Sequence, residues 1–287
     1  MNRRTFVKTS AMATAALATA DAFGFASSKK MIGIQLYSVR DEIKTGLPAV
    51  LAKLAGMGYQ NIEMYGYNNG DYFGHDMKAV ANLLAKNNLK STSAHVGIAD
   101  FLYKGNDDVW KKAVDDAAII GNEYLAVPYL DAEYRKTADG YKKIADRLNT
   151  AATICKSRGL KFAYHNHAFE FEKMGTGTGY DILLKETDPA LVKMELDLFW
   201  VVNAGYNPLA LFNAHPGRFV MWHVKDMDKT NKNKQTEVGN GKIDFKAIFK
   251  AKKKAGLEQF FVEQENYDIS PYDSVEKCIR YVKSNLI

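Results

Sequence analysis

Cysteine is almost missing from this 287-residue chain, which carries only Cys155 and Cys278. Two thiols allow one disulfide at most, and both fall in segments with helical periodicity, far apart in the sequence. No Gly-x-Gly-x-x-Gly follows the first apolar run, where a dinucleotide-binding sheet would need it. A basic stripe with interleaved aromatics is lacking too. The nearest approach, residues 225–242, has its lysines interrupted by Asp226, Asp228 and Glu237 and reads as a solvated loop, so no nucleic-acid partner is expected. The formal charge of +6 is modest, and Arg3, Arg4 and Lys8 supply three of the positive charges. The alanine-rich run 11–20 is shorter than the roughly 20 residues that cross a bilayer, so no membrane association is expected.

What is present begins with an address. Asn2-Arg3-Arg4-Thr5-Phe6-Val7-Lys8, the alanine-rich run and Ala18-Thr19-Ala20 resemble a twin-arginine export signal with a small-residue cleavage site. The expectation is a cleaved signal at 1–26, a soluble periplasmic protein, and a folded domain at 27–287. An amphipathic N-terminal helix fits less well, because the run has no polar face.

The rest alternates without a linker. Strand-like runs are expected at 31–37, 61–65, 90–95, 124–128, 161–167, 192–197, 218–224 and 259–263. Helical periodicity occupies 47–57, 77–87, 107–120, 138–158, 180–186, 208–214, 245–255 and 274–284. Gly56, Gly58, Gly121, Gly159 and Gly256 stand near the expected helix ends, where a left-handed residue is cheapest. Strand–helix units of this length favour parallel pairing through right-handed crossovers. Eight of them make an α/β fold, a single closed (β/α)8 barrel, with a doubly wound open sheet as the alternative. In such a barrel Cys155 and Cys278 lie on opposite sides, so both are expected to be free.

Four apolar runs in the second half end in residues that can hold a metal: His165, Asp197, His223 and Glu263, spaced 26 to 40 residues apart. On neighbouring strands these converge at one mouth, where barrel enzymes keep their chemistry. Charged and imidazole side chains there are costly to desolvate unless paired or metal-bound. A lone strand-end histidine is otherwise an ordinary hydrogen-bonded residue. His167 rivals His165, since strand alternation puts both on one face, and Glu263 is better placed than Glu265. Two imidazoles and two carboxylates suit one divalent Mn, Co, Zn or Fe ion better than Mg²⁺ or Ca²⁺.

Ile34-Gln35-Leu36-Tyr37-Ser38, Asn61-Ile62-Glu63, Tyr164-His165-Asn166-His167 with Phe169-Glu170-Phe171, Glu195-Leu196-Asp197, His223-Val224-Lys225-Asp226 and the stretch 238–245 resemble the sugar phosphate isomerase/epimerase family, with its xylose isomerase-like TIM barrel. The resemblance runs over residues 30–287. It implies one divalent metal on a strand-five Glu, a strand-six Asp, a strand-seven His and a strand-eight Glu. Asp197, His223 and Glu263 match, while His165 stands where the family has Glu. A histidine cannot copy a bidentate anionic base, so two-base epimerisation fits poorly, and the dehydration performed by inosose dehydratase is the nearer analogy.

The expected activity is that of a metal-dependent isomerase, epimerase or lyase, acting beside the carbonyl of a keto-sugar or keto-glycoside through a stabilised enediolate. Export argues for a substrate without phosphate. Glu63, His167 and Glu263 are the candidate bases. His95, Lys225 and Trp200 are candidate substrate contacts. Glu195, one layer below Asp197, is placed either to support the ligands or to reach the sugar. Tyr65, Tyr129, Phe199, Trp200 and Trp222 could wall a sugar pocket or fill the core. A non-catalytic exported sugar-binding protein and an endonuclease IV-like hydrolase are the competing classes. The partner is a small-molecule sugar, with homo-oligomerisation left open.

Overall fold

The computed structural model describes residues 31–287, so the expected export signal lies outside the described residues. Eight parallel strands carry the architecture: β1 (Gly33–Gln35), β2 (Asn61–Met64), β3 (Lys90–His95), β4 (Tyr124–Val127), β5 (Lys161–His165), β6 (Val192–Asp197), β7 (Met221–Val224) and β8 (Gln259–Val262). They close in chain order, β1 pairing with both β2 and β8. The barrel replaces the open-sheet alternative. Outside it run α1 (Leu47–Met57), α2 (Met77–Lys86), α3 (Asp108–Ile120), α4 (Ala138–Ser157), α5 (Gly179–Glu186), α6 (Leu198–Asn203), α7 (Pro208–Ala214), α8 (Phe245–Lys250), α9 (Lys252–Ala255) and α10 (Pro271–Asn285).

Local chemistry sets these boundaries. The side chains of Asp76, Thr137 and Ser270 accept the exposed N–H groups that open α2, α4 and α10. Thr178 and Asp181 form a reciprocal capping box at α5. Gly58, Gly121, Gly159 and Gly256 take positive φ, as their positions predict, whereas Gly56 lies within α1.

Several strands are shorter than expected. After β1 the chain turns at Leu36, because the Gln35 side chain accepts the N–H of Tyr37 and opens a 3-10 turn. The segment 245–255 breaks at Ala251 into α8 and α9. Small hairpins decorate the loops after β2 (residues 67–76), β5 (residues 173–178) and β7 (residues 226–236). Both cysteines are free and buried. No helix of the described residues is long and apolar enough to cross a membrane.

The barrel interior has two halves. Tyr124, Ala126, Ala163, Val220, Met221 and Phe261 fill the lower half with apolar side chains. Glu63, His165, Glu195 and His223, all buried polar residues, occupy the upper half. The register places Glu195 beside His165 and Asp197 beside His223. Trp222, next to His223 and pointing the opposite way, stacks on Phe212 at 5.1 Å in the layer between barrel and helices, so it belongs to the core.

Candidate metal centre and cavity

Strand alternation brings the four predicted ligands together. His165 Nε2 lies 3.9 Å from Asp197 Oδ2, and His223 Nδ1 lies 2.7 Å from Glu263 Oε2. They do not form one ring of donors, however. Among the described residues two groups have donor atoms within 4.8 Å of one another: His95, His165, Glu195 and His223, and separately Asp197, His223 and Glu263. His223 belongs to both.

In the first group a single carboxylate is ringed by imidazoles. Glu195 Oε2 lies 2.7 Å from His95 Nε2 and 3.2 Å from His165 Nδ1, while Oε1 is 3.4 Å from His223 Nε2. Glu63 sits under the same rings, its Oε2 2.6 Å from His223 Nε2, 3.4 Å from His95 Nε2 and accepting from Gln35 Nε2 at 2.9 Å. Glu63 Oε1 is buried without a hydrogen-bond partner, and Glu195 Oε1 has only the longer His223 contact.

In the second group the space between the carboxylates is taken by Lys225. Its fully buried ammonium lies 3.0 Å from Asp197 Oδ2, 2.7 Å from Glu263 Oε2 and 2.7 Å from Glu265 Oε1. Asp197 Oδ2 nevertheless receives no aligned hydrogen bond. Its Oδ1 accepts from Trp200 N and caps α6.

Electrostatics follows from this crowding. Burial opposes the charge on His223, but Glu195, Glu263 and Glu63 around it hold its pKa well above the usual imidazole value. Burial likewise opposes ionisation of Glu263, and Lys225 and His223 override it, keeping the carboxyl well below its usual range. Burial, with Glu195 nearby, raises Glu63. His165 is pulled down to about 3 by burial and by His223. His167 is lowered well below its usual value by burial, His165 and Lys225, and is therefore a neutral imidazole. Five carboxylates face one lysine and four histidines, and Glu63 Oε1 is buried without a hydrogen-bond partner. This donor set fits a divalent cation, whose binding would displace protons from the imidazoles.

Above the cluster opens a cavity of about 450 Å³, lined by Tyr37, Tyr65, Tyr67 and Tyr129 as walls and by His95, His165, His167, Glu263 and Glu265 below. No lysine or arginine is among its lining residues. Lys225, Glu195 and Glu63 lie beneath this floor, fully buried. Trp200 stands behind His167 with ring centroids 5.7 Å apart, and Phe199 packs in the core beside it.

Sequence reasoning passed over Glu170. It is fully buried, accepts the hydroxyl of Tyr164, and accepts the backbone N–H of His167 at 2.8 Å, which fixes the turn that aims the imidazole. Glu265, less well placed than Glu263 by strand position, lines the cavity beside it, and both reach Lys225. Glu170 has a sequence signal in the Phe169-Glu170-Phe171 motif, whereas Glu265 lies in the polar stretch Glu263-Gln264-Glu265-Asn266 and has none of its own.

Residues 51–284 match the model of the xylose isomerase-like TIM barrel family. An inosose dehydratase from Clostridium beijerinckii is 28% identical over 207 residues, covering 64% of this chain and 67% of its own length. A sugar phosphate isomerase/epimerase from Parabacteroides distasonis superposes with a TM-score of 0.78 at 30% identity, over 89% of this chain and 98% of its own. The IOLI protein, solved with a zinc atom bound, shares the fold with a TM-score of 0.71 at 17% identity, covering 89% and 98%.

Proposed function

Because the chain belongs to the xylose isomerase-like TIM barrel family, we propose that it is a divalent-metal-dependent lyase or isomerase that removes the proton beside the ketone of a non-phosphorylated keto-sugar or keto-glycoside. The observation that carries this reading is the cavity itself, with aromatic walls, a floor of imidazoles and carboxylates, and no lysine or arginine among its lining residues. Tyrosine faces stack on the C–H surfaces of a sugar, and a volume of about 450 Å³ suits a small molecule. The similarity to inosose dehydratases favours loss of water as the outcome.

A divalent ion among His223 and its neighbours would polarise the ketone oxygen and make the adjacent C–H more acidic. The chain's own residues do the rest. His167, neutral and on the cavity floor, is the base that takes this proton. Held on the imidazole, the proton is then returned to the neighbouring hydroxyl, which leaves as water, or to a carbon, which completes an isomerisation. Glu170 keeps the ring aimed through the His167 backbone. Glu263 and Glu265 accept sugar hydroxyls, with the Lys225 ammonium paired to both from below. Export to the periplasm through residues 1–26 would fit a substrate without phosphate.

The test is proton exchange. Oxidised glycosides incubated with the cobalt- or zinc-loaded protein in deuterated water should gain deuterium beside the ketone. His167→Ala should slow that exchange about 100-fold or more while sugar binding persists. A loaded protein that binds keto-sugars yet exchanges no proton would be a binding protein, and the enzymatic reading would fall.

A further inference from the structure

The cavity changes character with height. On its floor His165 is 3% exposed and Glu263 4%, whereas two rings of its wall, Tyr37 and Tyr129, are 39% and 49% exposed. Apolar surface gathered on one concave opening marks a binding site more than scattered exposed rings do. A hexose fills roughly 200 Å³ at the packing density of organic crystals. The cavity holds about 450 Å³, so a single ring seated over the floor leaves the upper wall bare.

The two exposed rings are also held in place. The Arg40 guanidinium lies over one face of Tyr37, 4.6 Å from the ring centroid. It is itself anchored, donating to the carbonyl oxygens of Tyr37 at 3.1 Å and Glu265 at 2.9 Å. Tyr65 meets the same ring at 84°, with centroids 5.1 Å apart. One face of Tyr37 is thus occupied, and the ring still opens to the cavity and to solvent. Tyr129, three strands further round the barrel after β4, repeats the plan. It stands at 84° to His167 and 83° to Phe169, and the Arg135 guanidinium backs Phe169 at 3.5 Å while donating to the Leu130 carbonyl at 3.0 Å. A ring already fixed loses little entropy when a ligand stacks on it, which is what preorganisation contributes to binding.

We infer that the rim is a second sugar subsite: Tyr37 stacks on the ring beyond the glycosidic oxygen, Tyr129 flanks it, and the oxidised ring occupies the floor. The substrate is then a keto-glycoside of two rings, and a free keto-sugar fills only the lower half of the site. Each tyrosine joins an apolar face to a hydroxyl at its tip, which suits a second sugar, with its C–H faces and hydroxyl edges, better than an aliphatic aglycone. The carboxylates on the lining, Glu263 and Glu265, disfavour an acidic second ring, and both arginines stand behind the rings, outside the lining. This inference rests on the reading above that the floor receives the oxidised ring of a sugar.

The experiment compares matched ligands on the full metal-loaded protein. Methyl glucoside is paired with cellobiose, and methyl galactoside with lactose, each oxidised to a ketone at the same carbon of the non-reducing ring. Dissociation constants are measured by calorimetry in the His167→Ala background, so that binding is read apart from turnover. The better-bound disaccharide should exceed its methyl partner by about 10-fold, the worth of one stacked aromatic face. Adding Tyr37→Ala should shrink that ratio to about 3-fold or less, and adding Tyr37→Phe should keep it. Circular dichroism establishes that each variant is folded, and the ratio with Tyr37 in place needs no rim variant. Equal affinities within both pairs, or a folded Tyr37→Ala protein that keeps the full ratio, would overturn the subsite. In either case proton exchange on a methyl keto-glycoside by the wild type would leave the proposed function standing. Binding of no ligand of either pair, with no exchange, would overturn both.

Discussion

Lys225 shows how much one side chain can organise. It lies under the cavity floor with three carboxylates around its ammonium, and His167 and Trp200 pack nearby. Removing it by Lys225→Met should leave Asp197, Glu263 and Glu265 facing one another and cost about 3–5 kcal/mol, seen as a lower midpoint in urea denaturation. Unchanged stability would contradict this. The sequence marked Lys225 as a substrate contact because it ends a strand, and its depth could not be read there. Charge pairing between β6, β7 and β8 depends on distances that a single sequence does not contain. The same holds for Glu195 and Glu63. Strand alternation puts Glu195 on the face of Asp197, but only the closed barrel reveals that Glu195 meets three histidine rings and Glu63 two of them.

At the scale of elements, two turns hold the site in place. Glu170, between β5 and α5, is raised to about 7 by burial, from an ordinary 4.5, although Tyr164 and the His167 backbone N–H bond it. The native state therefore keeps a proton that the unfolded chain releases, so its contribution to stability is full at acid pH and is lost as pH rises from about 4.5 to about 7. Glu170→Gln should be roughly 3 kcal/mol more favourable, relative to wild type, at pH 8 than at pH 4 in urea titrations. An equal difference at both pH values would contradict this. Asp226, after β7, accepts the backbone N–H groups of Met227, Gly239, Gly241 and Ile243. Gly241 approaches so closely that an added Cβ would lie 2.2 Å from the Met227 carbonyl oxygen. Asp226→Ala should free this loop, read as faster amide hydrogen exchange at Gly239 and Gly241. Helices α1 and α7 and strand β6 were legible to the residue, because periodicity and a terminal Gly, Pro or Asp coincide there. The hairpins at 67–76, 173–178 and 226–236 were not, since two-residue strands carry no period.

For the whole molecule, the alternation of strands and helices made the barrel readable, and closure brings the first and last strands into close contact. Gly33 on β1 faces β8 so closely that a methyl group would meet Phe261 Cδ1 at 2.4 Å and the Phe260 carbonyl oxygen at 2.7 Å. Gly33→Ala should cost about 1–3 kcal/mol and lower the melting temperature, with the seam between first and last strands opening first. The apolar filling below the charged residues has a further effect. Tyr124, Ala126, Ala163, Met221 and Phe261 stopper the barrel, so among the described residues the cavity is a blind cup. Whatever sugar enters over the tyrosines leaves the way it came, and any water lost from it shares that exit. Turnover would then be paced by how readily the rim releases product, which makes Tyr37, Tyr65 and Tyr129 as consequential for speed as the histidines below them.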